Sequence, residues 1–267
     1  MRDKVVVITG ASGGIGAAVA ELVGRRGGRP VLVARREREL AQAAERSGPQ
    51  ALTVTADVTD RAQVQRALDA ALARFGHVDA WINNAGRGIS RPVSALTADD
   101  VNEMMRVNVL SALYGMQAVL PHFQQRGRGH IVNVSSMLGR VPFAPIRSAY
   151  SASKHALNAL TVSLRLELRE RWPEIHVTTV SPGVVATEFG SNALGGGPDS
   201  RQLPNAQPVA EVAEVIADVL ERPRADVYTR PGLQQQVVDY FSADDMASVE
   251  SKWPSLPAPP PAAPRAS

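Results

Sequence analysis

The stretch Val5-Val-Val-Ile-Thr-Gly-Ala-Ser-Gly-Gly-Ile-Gly16 joins an apolar, β-branched run to a glycine-rich turn. Gly10 permits a tight turn after the run, Gly14 lets the backbone approach a pyrophosphate, and Gly16 allows close contact between strand and following helix. The free amides at the start of that helix supply an anion site. Because glycines also occur in ordinary turns, the rest of the chain must support a dinucleotide-binding interpretation.

Short apolar runs alternate along the chain with longer segments that carry apolar residues at helical spacing. The predicted strands are 5–9, 30–34, 52–56, 80–83, 130–135, 176–181 and, more weakly, 226–229. The predicted helical segments include 14–26, 61–75, 99–125, 149–171 and 209–221. Runs without internal alternation indicate strands buried on both faces. The alternation predicts an α/β fold, a doubly wound parallel sheet (Rossmann fold) of about seven strands with helices on both faces.

The chain is predicted to form a single dinucleotide-binding and catalytic domain over residues 1–253, since nothing marks a second one. Residues 188–208 are rich in Gly, Ser, Asn and Pro, and we expect them to form a long loop that serves as a substrate lid. A last helix is expected over 233–249. Residues 254–267 contain six prolines among small residues and are expected to be a disordered tail.

Composition excludes several classes of function. The chain of 267 residues has 44% hydrophobic and 21% charged residues, enough for one large core. It has no cysteine, and its five histidines show no ligand spacing, so no metal site is expected. The net charge is only +3 and the arginines are scattered among acids, so we expect no nucleic-acid partner. Without an apolar stretch of ~20 residues or a signal peptide, we expect a soluble, cytoplasmic protein with no membrane partner.

Two arginines stand where the second predicted strand ends. An Asp or Glu at this point, about 20 residues beyond the glycines, would bind the adenosine ribose hydroxyls of NAD. The chain has Arg35-Arg36 instead, and guanidinium groups favour the ribose 2′-phosphate of NADP. Two solvated arginines at a helix start are the alternative, but cations there oppose the helix dipole. The sequence therefore favours NADP (NADPH), with NAD the less favoured cofactor.

The stretch Tyr150-Ser-Ala-Ser-Lys154 places a phenol and an ammonium four residues apart. On a helix this spacing puts both groups on one face. A nearby fixed positive charge could lower the pKa of a tyrosine, ordinarily ~10, and make it an acid/base at neutral pH. Only three of the 29 Lys and Arg residues are lysines, and the other two, Lys4 and Lys252, lie near the ends. A compact ammonium at this position indicates that a guanidinium would not serve.

These motifs, in this order, resemble those of the short-chain dehydrogenase/reductase family over roughly residues 3–230. The resemblance covers the glycine loop, Asp57-Val58 after the third strand, Asn83-Asn84-Ala85-Gly86 after the fourth, and Pro182-Gly183-Val184-Val185-Ala186-Thr187. It also covers the order of the family's catalytic tetrad, here Asn108, Ser136, Tyr150 and Lys154. The cofactor-binding residues that the resemblance implies, together with the arginine pair, are Gly10, Ser12, Gly14, Ile15, Gly16, Arg35, Arg36, Asp57, Val58, Asn84, Ala85, Gly86, Tyr150, Lys154, Pro182, Gly183, Val185 and Thr187.

The expected activity is hydride transfer between the nicotinamide of NADP(H) and a carbonyl or secondary alcohol. Tyr150 would give or take the proton of the substrate oxygen, and Ser136 would hydrogen-bond that oxygen as charge develops. Lys154 would lower the pKa of Tyr150 and, by resemblance, hold the nicotinamide ribose. By resemblance, Asn108 would support a water that relays protons to Lys154, and Thr187 would bind the nicotinamide amide.

Each assignment has an alternative. Ser135 is a second candidate for the active hydroxyl, although the family pattern Ser-x-x-Gly favours Ser136. Asn108 could instead be a polar residue that bends its helix, and Thr187 could be only the start of the lid. Asp57 could be a helix cap, a role that is compatible with its cofactor contact. For the whole protein, a non-catalytic NADP-binding regulatory protein and a nucleotide-dependent methyltransferase are the competing classes. The complete tetrad argues against the first, and Arg35-Arg36 with Tyr150 and Lys154 argues against the second.

The substrate is constrained only in outline. Residues 137–146 should form one pocket wall, and they are mostly apolar, which suggests a small-molecule ketone or alcohol that is largely apolar. Arg87, Arg91 and Arg147 are candidates for recognising an acidic group, although solvated arginines are common in this chain. The glycine-rich ending of many tetrameric family members is replaced by Tyr228-Thr-Arg-Pro-Gly232, whereas a homodimer through 99–125 and 149–171 is expected from the resemblance.

Overall fold

The computed structural model describes residues 1–254 and contains one parallel sheet of seven strands. The strands are β1 (Val5–Thr9), β2 (Arg29–Ala34), β3 (Leu52–Thr55), β4 (Ala80–Asn83), β5 (Gly129–Val134), β6 (Ile175–Ser181) and β7 (Asp226–Tyr228). They lie in the order β3-β2-β1-β4-β5-β6-β7, and every neighbouring pair is parallel. The order reverses direction between β1 and β4, and such a point marks the ligand-binding edge of an open α/β sheet.

Helices cover both faces of this sheet. They are α1 (Gly14–Arg25), α2 (Glu37–Ser47), α3 (Arg61–Phe75), α4 (Ala98–Met105), α5 (Ser111–Arg126), α6 (Ser148–Leu168), α7 (Val209–Glu221), α8 (Leu233–Phe241) and α9 (Met246–Glu250). One buried cluster packs α1, α2 and α7 against the sheet, and a second packs α3, α5 and α6 against its other face. The predicted doubly wound Rossmann fold is confirmed.

Local signals explain where several helices begin and end. The Asp60 carboxylate accepts hydrogen bonds from the amides of Ala62 (2.9 Å) and Gln63 (3.3 Å) and so caps α3. Gly76 ends the same helix in the left-handed conformation, with φ of 78°. Asp60, not the neighbouring Asp57, is therefore the cap of this helix, which excludes the capping alternative for Asp57.

The structure corrects three details of the predicted elements. The segment 99–125 is interrupted by a π-helical turn, Arg106–Leu110, between α4 and α5. The predicted helix 233–249 is two helices, α8 and α9. Strand β3 alternates between half-buried and exposed residues, against the expectation of burial on both faces, because it lies at the edge of the sheet.

Several expectations stay predictions. They include the single domain over 1–253 and the homodimer, although Leu110, Val162 and Leu166 are exposed along the helices expected to form it. Among residues 1–254, no helix is long and apolar enough to cross a membrane. The predicted disordered tail, apart from Pro254, lies outside the described residues.

His130 is a buried titratable group in β5. Only 5% of its surface is exposed, and its Nε2 lies 2.8 Å from the Thr178 hydroxyl oxygen. Its Nδ1 has no hydrogen-bond partner among residues 1–254. Burial, with smaller contributions from His176 and Lys4, lowers the pKa of His130 to about 3. The folded protein therefore keeps this ring neutral in a pH range where the unfolded chain, with an ordinary His pKa of ~6.5, takes up a proton.

Acidification is expected to destabilise the fold through His130. Because the unfolded state binds more protons below pH ~6.5, the free energy of unfolding should fall by about 2 kcal/mol from pH 7 to pH 5 through this residue. Urea unfolding of the wild type and His130→Gln at both pH values measures the effect. The variant should lose that much less stability on acidification, whereas His155→Gln, at an exposed histidine, should behave as the wild type. Equal pH dependence in His130→Gln and wild type would contradict the assignment.

Candidate active site

The glycine loop between β1 and α1 is packed too closely for side chains. Gly10 has φ of 68°, and a Cβ atom placed on it would lie 2.8 Å from Ala85 Cα. A Cβ atom on Gly16 would lie 2.6 Å from the Gly10 carbonyl oxygen. Helix α1 has no side-chain cap at Gly13 and no acidic residue in its first turn. Its first amides can therefore receive an anionic group.

The loop after β6 approaches the start of α1. Gly14 has φ of 53°, a left-handed conformation that favours glycine, and a Cβ atom on it would lie 3.3 Å from Thr187 Cγ2. The Thr187 hydroxyl oxygen accepts a hydrogen bond from the Phe189 amide at 3.2 Å. The fold thus brings Thr187 beside the phosphate loop, although more than 170 residues separate them in sequence. Thr187 also begins the segment predicted to be the lid.

Two of the predicted cofactor residues, Asn84 and Ala85, link the ends of strands β1 and β4. The Thr9 hydroxyl accepts hydrogen bonds from the amides of Asn84 (3.0 Å) and Ala85 (3.1 Å). The Asn84 side-chain amide donates to the Thr9 carbonyl oxygen at 2.9 Å. The Asn84 side chain therefore holds the loop after β4 in place beside the glycine loop.

The two arginines after β2 have different surroundings. The Arg36 guanidinium lies over the glycine loop, where its Nε and Nη2 donate to the Ser12 hydroxyl oxygen at 3.2 and 3.1 Å. Arg35 is more exposed and lies 3.7 Å from the Asp57 carboxylate. Ser12 and Arg36 thus lie together at the rim of the anion site, with Arg35 farther out.

Asp57 is held by the turn after β3. Its carboxylate accepts hydrogen bonds from the Thr59 amide (2.9 Å) and the Thr59 hydroxyl (2.8 Å). Partial burial alone would raise the pKa of Asp57, but these bonds and the charges of Arg35 and Arg106 outweigh burial and leave the pKa lowered. The carboxylate is therefore ionised at neutral pH and available as an acceptor.

The remaining predicted cofactor residues line the same edge of the sheet. Pro182 accepts a hydrogen bond from the Met137 amide at 2.8 Å, which ties the loop after β6 to the end of β5. Ile15 and Val185 pack against one core cluster, Val58 belongs to the other, and Ala85 packs against that second cluster. Gly183 lies between Pro182 and the exposed Val184.

Ser136, Tyr150 and Lys154 gather where β5 ends. They are 8%, 6% and 4% exposed. Lys154 Nζ donates a hydrogen bond to the Val134 carbonyl oxygen at 2.9 Å and lies 5.7 Å from the centroid of the Tyr150 ring. The spacing predicted from the sequence therefore does place both side chains on one face of α6, directed at the end of β5.

Burial shifts both titratable groups of this cluster towards their neutral forms. Burial raises the pKa of Tyr150 to about 12, and the Ser136 side chain and the Arg147 charge counteract the rise. Burial also lowers the pKa of Lys154 to about 8. The expected lowering of the Tyr150 pKa by Lys154 stays a prediction, since the groups that lower it here are Ser136 and Arg147.

The two adjacent serines after β5 have different environments. The Ser136 hydroxyl accepts a hydrogen bond from the Leu138 amide at 3.1 Å. Its side chain also hydrogen-bonds Tyr150, which counteracts the rise in the Tyr150 pKa. The Ser135 hydroxyl is buried beside Gly139 and has no partner among residues 1–254. Of the two candidates, Ser136 is the one placed beside the phenol.

Asn108 lies in the π-helical turn and binds the loop after β4. Its Oδ1 accepts from the Arg87 amide at 2.8 Å, and its Nδ2 donates to the Arg87 carbonyl (3.0 Å) and the Ser153 hydroxyl (3.0 Å). A Cβ atom on Gly86 would lie 3.0 Å from Asn108 Oδ1 and 3.7 Å from Lys154 Nζ. The side chain therefore positions this loop against Lys154, and the predicted water relay stays a prediction.

The first half of segment 188–208 lies across the cluster. The Phe189 ring meets the Tyr150 ring edge-on, with centroids 5.3 Å apart. The Leu194 amide donates to the Gly88 carbonyl oxygen at 2.8 Å, and the Ser90 amide donates to the Leu194 carbonyl oxygen at 2.8 Å. Tyr150 is thus enclosed between this segment and the loop after β4, as expected for a lid, and the lid role itself stays a prediction.

Sequence reasoning missed Phe189 and Ser153, and it named Arg147 only as one of three arginines that could recognise an acidic group. Phe189 follows Thr187 by two residues, and Ser153 lies inside the quoted Tyr150–Lys154 stretch, so position alone was the available signal. The C-terminal part also contacts the segment predicted to form a pocket wall, because the Trp253 ring lies 6.4 Å from the Phe143 ring. In residues 1–254, no group of three or more His, Asp or Glu side chains is arranged to hold a metal ion.

The strand order, the glycine loop and the polar cluster define a dinucleotide-binding α/β protein of the Rossmann class. A family model described as short chain dehydrogenase matches residues 4–194. An uncharacterised oxidoreductase of Staphylococcus epidermidis is 36% identical over 187 residues, which cover 70% of this chain and 80% of that protein. The mouse dehydrogenase/reductase SDR family member 7B is 34% identical over 239 residues, covering 85% of this chain and 73% of that protein.

Solved structures show the same likeness. A short-chain dehydrogenase/reductase of Burkholderia phymatum in complex with NAD has a TM-score of 0.83 and 29% identity, covering 97% of this chain and 98% of that chain. An alcohol dehydrogenase of Thermococcus sibiricus complexed with 5-hydroxy-NADP has a TM-score of 0.75 and 28% identity, covering 87% and 98%. The chain belongs to the short-chain dehydrogenase/reductase family, and it is an NAD(P)-dependent oxidoreductase of that family. The predicted family and enzyme class are confirmed.

Proposed function

We propose that the protein is an NADPH-preferring oxidoreductase that interconverts a carbonyl compound and a secondary alcohol, with Tyr150 as the general acid and base. The observation that carries the proposal is the enclosed cluster of Ser136, Tyr150 and Lys154 at the end of β5, beneath Phe189. A phenol, a hydroxyl and an ammonium in one covered site are the groups that proton transfer to a substrate oxygen requires.

The residues at the switch point fit a nicotinamide dinucleotide. The glycine loop packs against the loop after β4 at distances that a Cβ atom would not permit, and the first amides of α1 are free for a pyrophosphate. Gly86 brings the loop after β4 to Lys154, and Thr187 lies beside Gly14. Two of the similar structures were solved with NAD and with 5-hydroxy-NADP. When bound, the nicotinamide would supply or accept the hydride.

Each side chain of the cluster has a separate role in transferring a proton to or from the substrate oxygen. Ser136 donates a hydrogen bond to the substrate oxygen and stabilises negative charge on it. Tyr150 gives its proton to that oxygen during reduction and takes one back during oxidation. The Lys154 ammonium favours the phenolate that forms when Tyr150 has lost its proton. Asn108 holds the loop against Lys154, and Phe189 excludes water from the phenol.

The preference for NADPH rests on Arg36. Its guanidinium lies at Ser12 in the glycine loop, and a Cβ atom on Gly13 would lie 3.2 Å from Arg36 Nη2. A 2′-phosphate at this rim would gain charge-assisted hydrogen bonds from Arg36. No carboxylate follows β2 at the position where NAD would need one.

The pH dependence of the two directions should be opposite. Reduction needs a protonated Tyr150 and a charged Lys154, and with pKa values of about 12 and about 8 only Lys154 changes between pH 6 and 9. We expect kcat/KM for ketone reduction to be level below pH ~8 and to fall above it. Alcohol oxidation needs the Tyr150 phenolate together with a charged Lys154, so its rate should rise up to pH ~8 and level off above it. Initial rates in both directions at constant ionic strength measure this, and a reduction rate that rises from pH 7 to 9 would oppose the proposal.

The direct test of the proposed function is a loss of NADPH absorbance during a screen of ketones, and its gain during a screen of secondary alcohols with NADP. Turnover should appear with at least one member of each set. A turnover that is unchanged in Tyr150→Phe would overturn the mechanism.

A further inference from the structure

Arg147 lies immediately before α6, three residues from Tyr150, with its side chain half-buried. Its Nη1 donates a hydrogen bond to the Ile89 carbonyl oxygen at 3.2 Å. No other hydrogen bond of its guanidinium is present among residues 1–254. Most of the donors of this planar cation are therefore unused by the part of the chain that the structure describes.

Neighbouring arginines contrast with Arg147. Arg91 lies 2.6 Å from the Asp100 carboxylate, and Arg87 lies 3.5 Å from Glu103. Within residues 1–254, no carboxylate lies within ion-pair distance of Arg147. Burial lowers the pKa of Arg147, which means that its surroundings disfavour the charge. A half-buried cation without a compensating anion is costly, so a charge partner from outside the chain would relieve a real penalty.

The guanidinium faces the enclosed site. A Cβ atom on Gly88 would lie 3.1 Å from Arg147 Nη1 and 2.9 Å from Phe189 Cε1. A Cβ atom on Gly197 would lie 3.2 Å from Arg147 Nη2. The cation is therefore held between the loop after β4 and the lid segment, next to the ring that covers Tyr150. It is close enough to Tyr150 for its charge to act on the phenol.

We propose that Arg147 is a specificity-determining residue that binds a carboxylate on the substrate, so that the enzyme acts on oxo acids or the corresponding hydroxy acids. This inference rests on the proposed oxidoreductase function. In reduction, the hydride goes to the carbonyl carbon and the Tyr150 proton goes to its oxygen, while the carboxylate remains unchanged. Arg147 would orient the carbonyl towards Tyr150, because a guanidinium can bind a carboxylate through two parallel hydrogen bonds.

The apolar residues near Arg147 constrain the part of the substrate that lies beyond its carboxylate. Ile89 is fully buried, and Leu138, Phe189 and Leu194 pack with Tyr150 in the same apolar cluster. The arrangement of a few polar groups in an otherwise apolar enclosure is typical of small-molecule sites. The inferred substrate thus combines an apolar carbon chain with one acidic end, which keeps the apolar character expected from residues 137–146.

Matched pairs of substrates separate this role from a purely electrostatic effect on Tyr150. Pentanoates with the ketone at different carbons would each be compared with their methyl esters, using wild type and Arg147→Gln. For the best pair, wild type should prefer the acid, and the variant should lose about 10- to 100-fold in kcat/KM for the acid with less than about threefold change for the ester. An effect through the Tyr150 pKa would lower kcat/KM for the acid and for the ester equally. That outcome, or equal wild-type rates for acid and ester, would overturn the inference.

Two further variants and a binding measurement complete the test. Arg147→Lys should recover part of the preference for the acid, and Arg87→Gln, at a nearby arginine already paired with Glu103, should keep the wild-type preference. Independently of turnover, pentanoate but not pentanamide should raise the Tm of the NADPH-loaded wild type, and Arg147→Gln should abolish the shift. A missing shift in wild type would refute carboxylate binding, whereas a shift without any turnover would leave carboxylate binding supported and refute the proposed oxidoreductase function.

Discussion

A Tyr150→Phe variant is expected to lose about 10²- to 10⁴-fold in kcat while keeping its fold and its affinity for NADPH. The change removes only the phenolic oxygen, and Phe preserves the edge-on contact with the Phe189 ring. Ser136, the other hydroxyl of the proposed mechanism, accepts a hydrogen bond from the Leu138 amide and is a far weaker acid than a phenol. Steady-state kinetics with a ketone from the screen, together with NADPH titration, would measure both quantities.

Tyr114→Phe is the matched control, because Tyr114 is a half-buried tyrosine on α5, which packs against the second core cluster. It should retain near-wild-type kcat. The proton-donor assignment fails if Tyr150→Phe turns over within about tenfold of wild type. Loss of NADPH binding in Tyr150→Phe would instead assign the tyrosine to cofactor binding.

An Arg36→Gln variant is expected to lower kcat/KM for NADPH by about 10- to 100-fold and to leave kcat/KM for NADH within about threefold of wild type. The physical reason is the loss of charge-assisted hydrogen bonds to the 2′-phosphate, which NADH lacks. Arg35→Gln should have a smaller effect, because Arg35 is 70% exposed at its side chain and lies beside Asp57. Initial rates with each cofactor at saturating substrate provide the comparison.

Arg38→Gln serves as the control for lost positive charge, since Arg38 is exposed in the first turn of α2. This variant should leave kcat/KM for NADPH and for NADH nearly unchanged. Equal losses for NADPH and NADH in Arg36→Gln would show that Arg36 supports the glycine loop through Ser12 rather than reading the 2′-phosphate. A wild-type preference for NADH would reject the cofactor assignment outright.

Local signals were enough to predict the sheet and the phosphate loop. Buried parallel strands appear as continuous apolar runs, so the β1 run could be recognised, and its length agrees with the structure. Gly10 and Gly14 could be assigned because a positive φ is a property of one residue and its immediate neighbours. The four-residue spacing of Tyr150 and Lys154 is likewise a local consequence of helix geometry.

Other features depend on contacts between distant segments. The π-helical turn at Arg106–Leu110 was not predicted, since its apolar spacing resembles that of an α-helix. The hydrogen bond from the Asn84 side-chain amide to the Thr9 carbonyl oxygen depends on the pairing of strands that are more than 70 residues apart in sequence. The sequence analysis considered Asp57 as the α3 cap, and only the backbone path shows that Asp60 makes these hydrogen bonds.

The sequence by itself determined the fold class and the family and named the candidate site residues, because periodicity, glycine placement and residue spacing are local properties. Tertiary structure decided how those groups are arranged: Phe189 against Tyr150, Arg36 over Ser12, and Arg147 without an acidic partner among the described residues. Burial then raises the pKa of Tyr150 and lowers that of Lys154. Such effects arise from desolvation and charge at close range, and they exist only once separate loops have packed around one site.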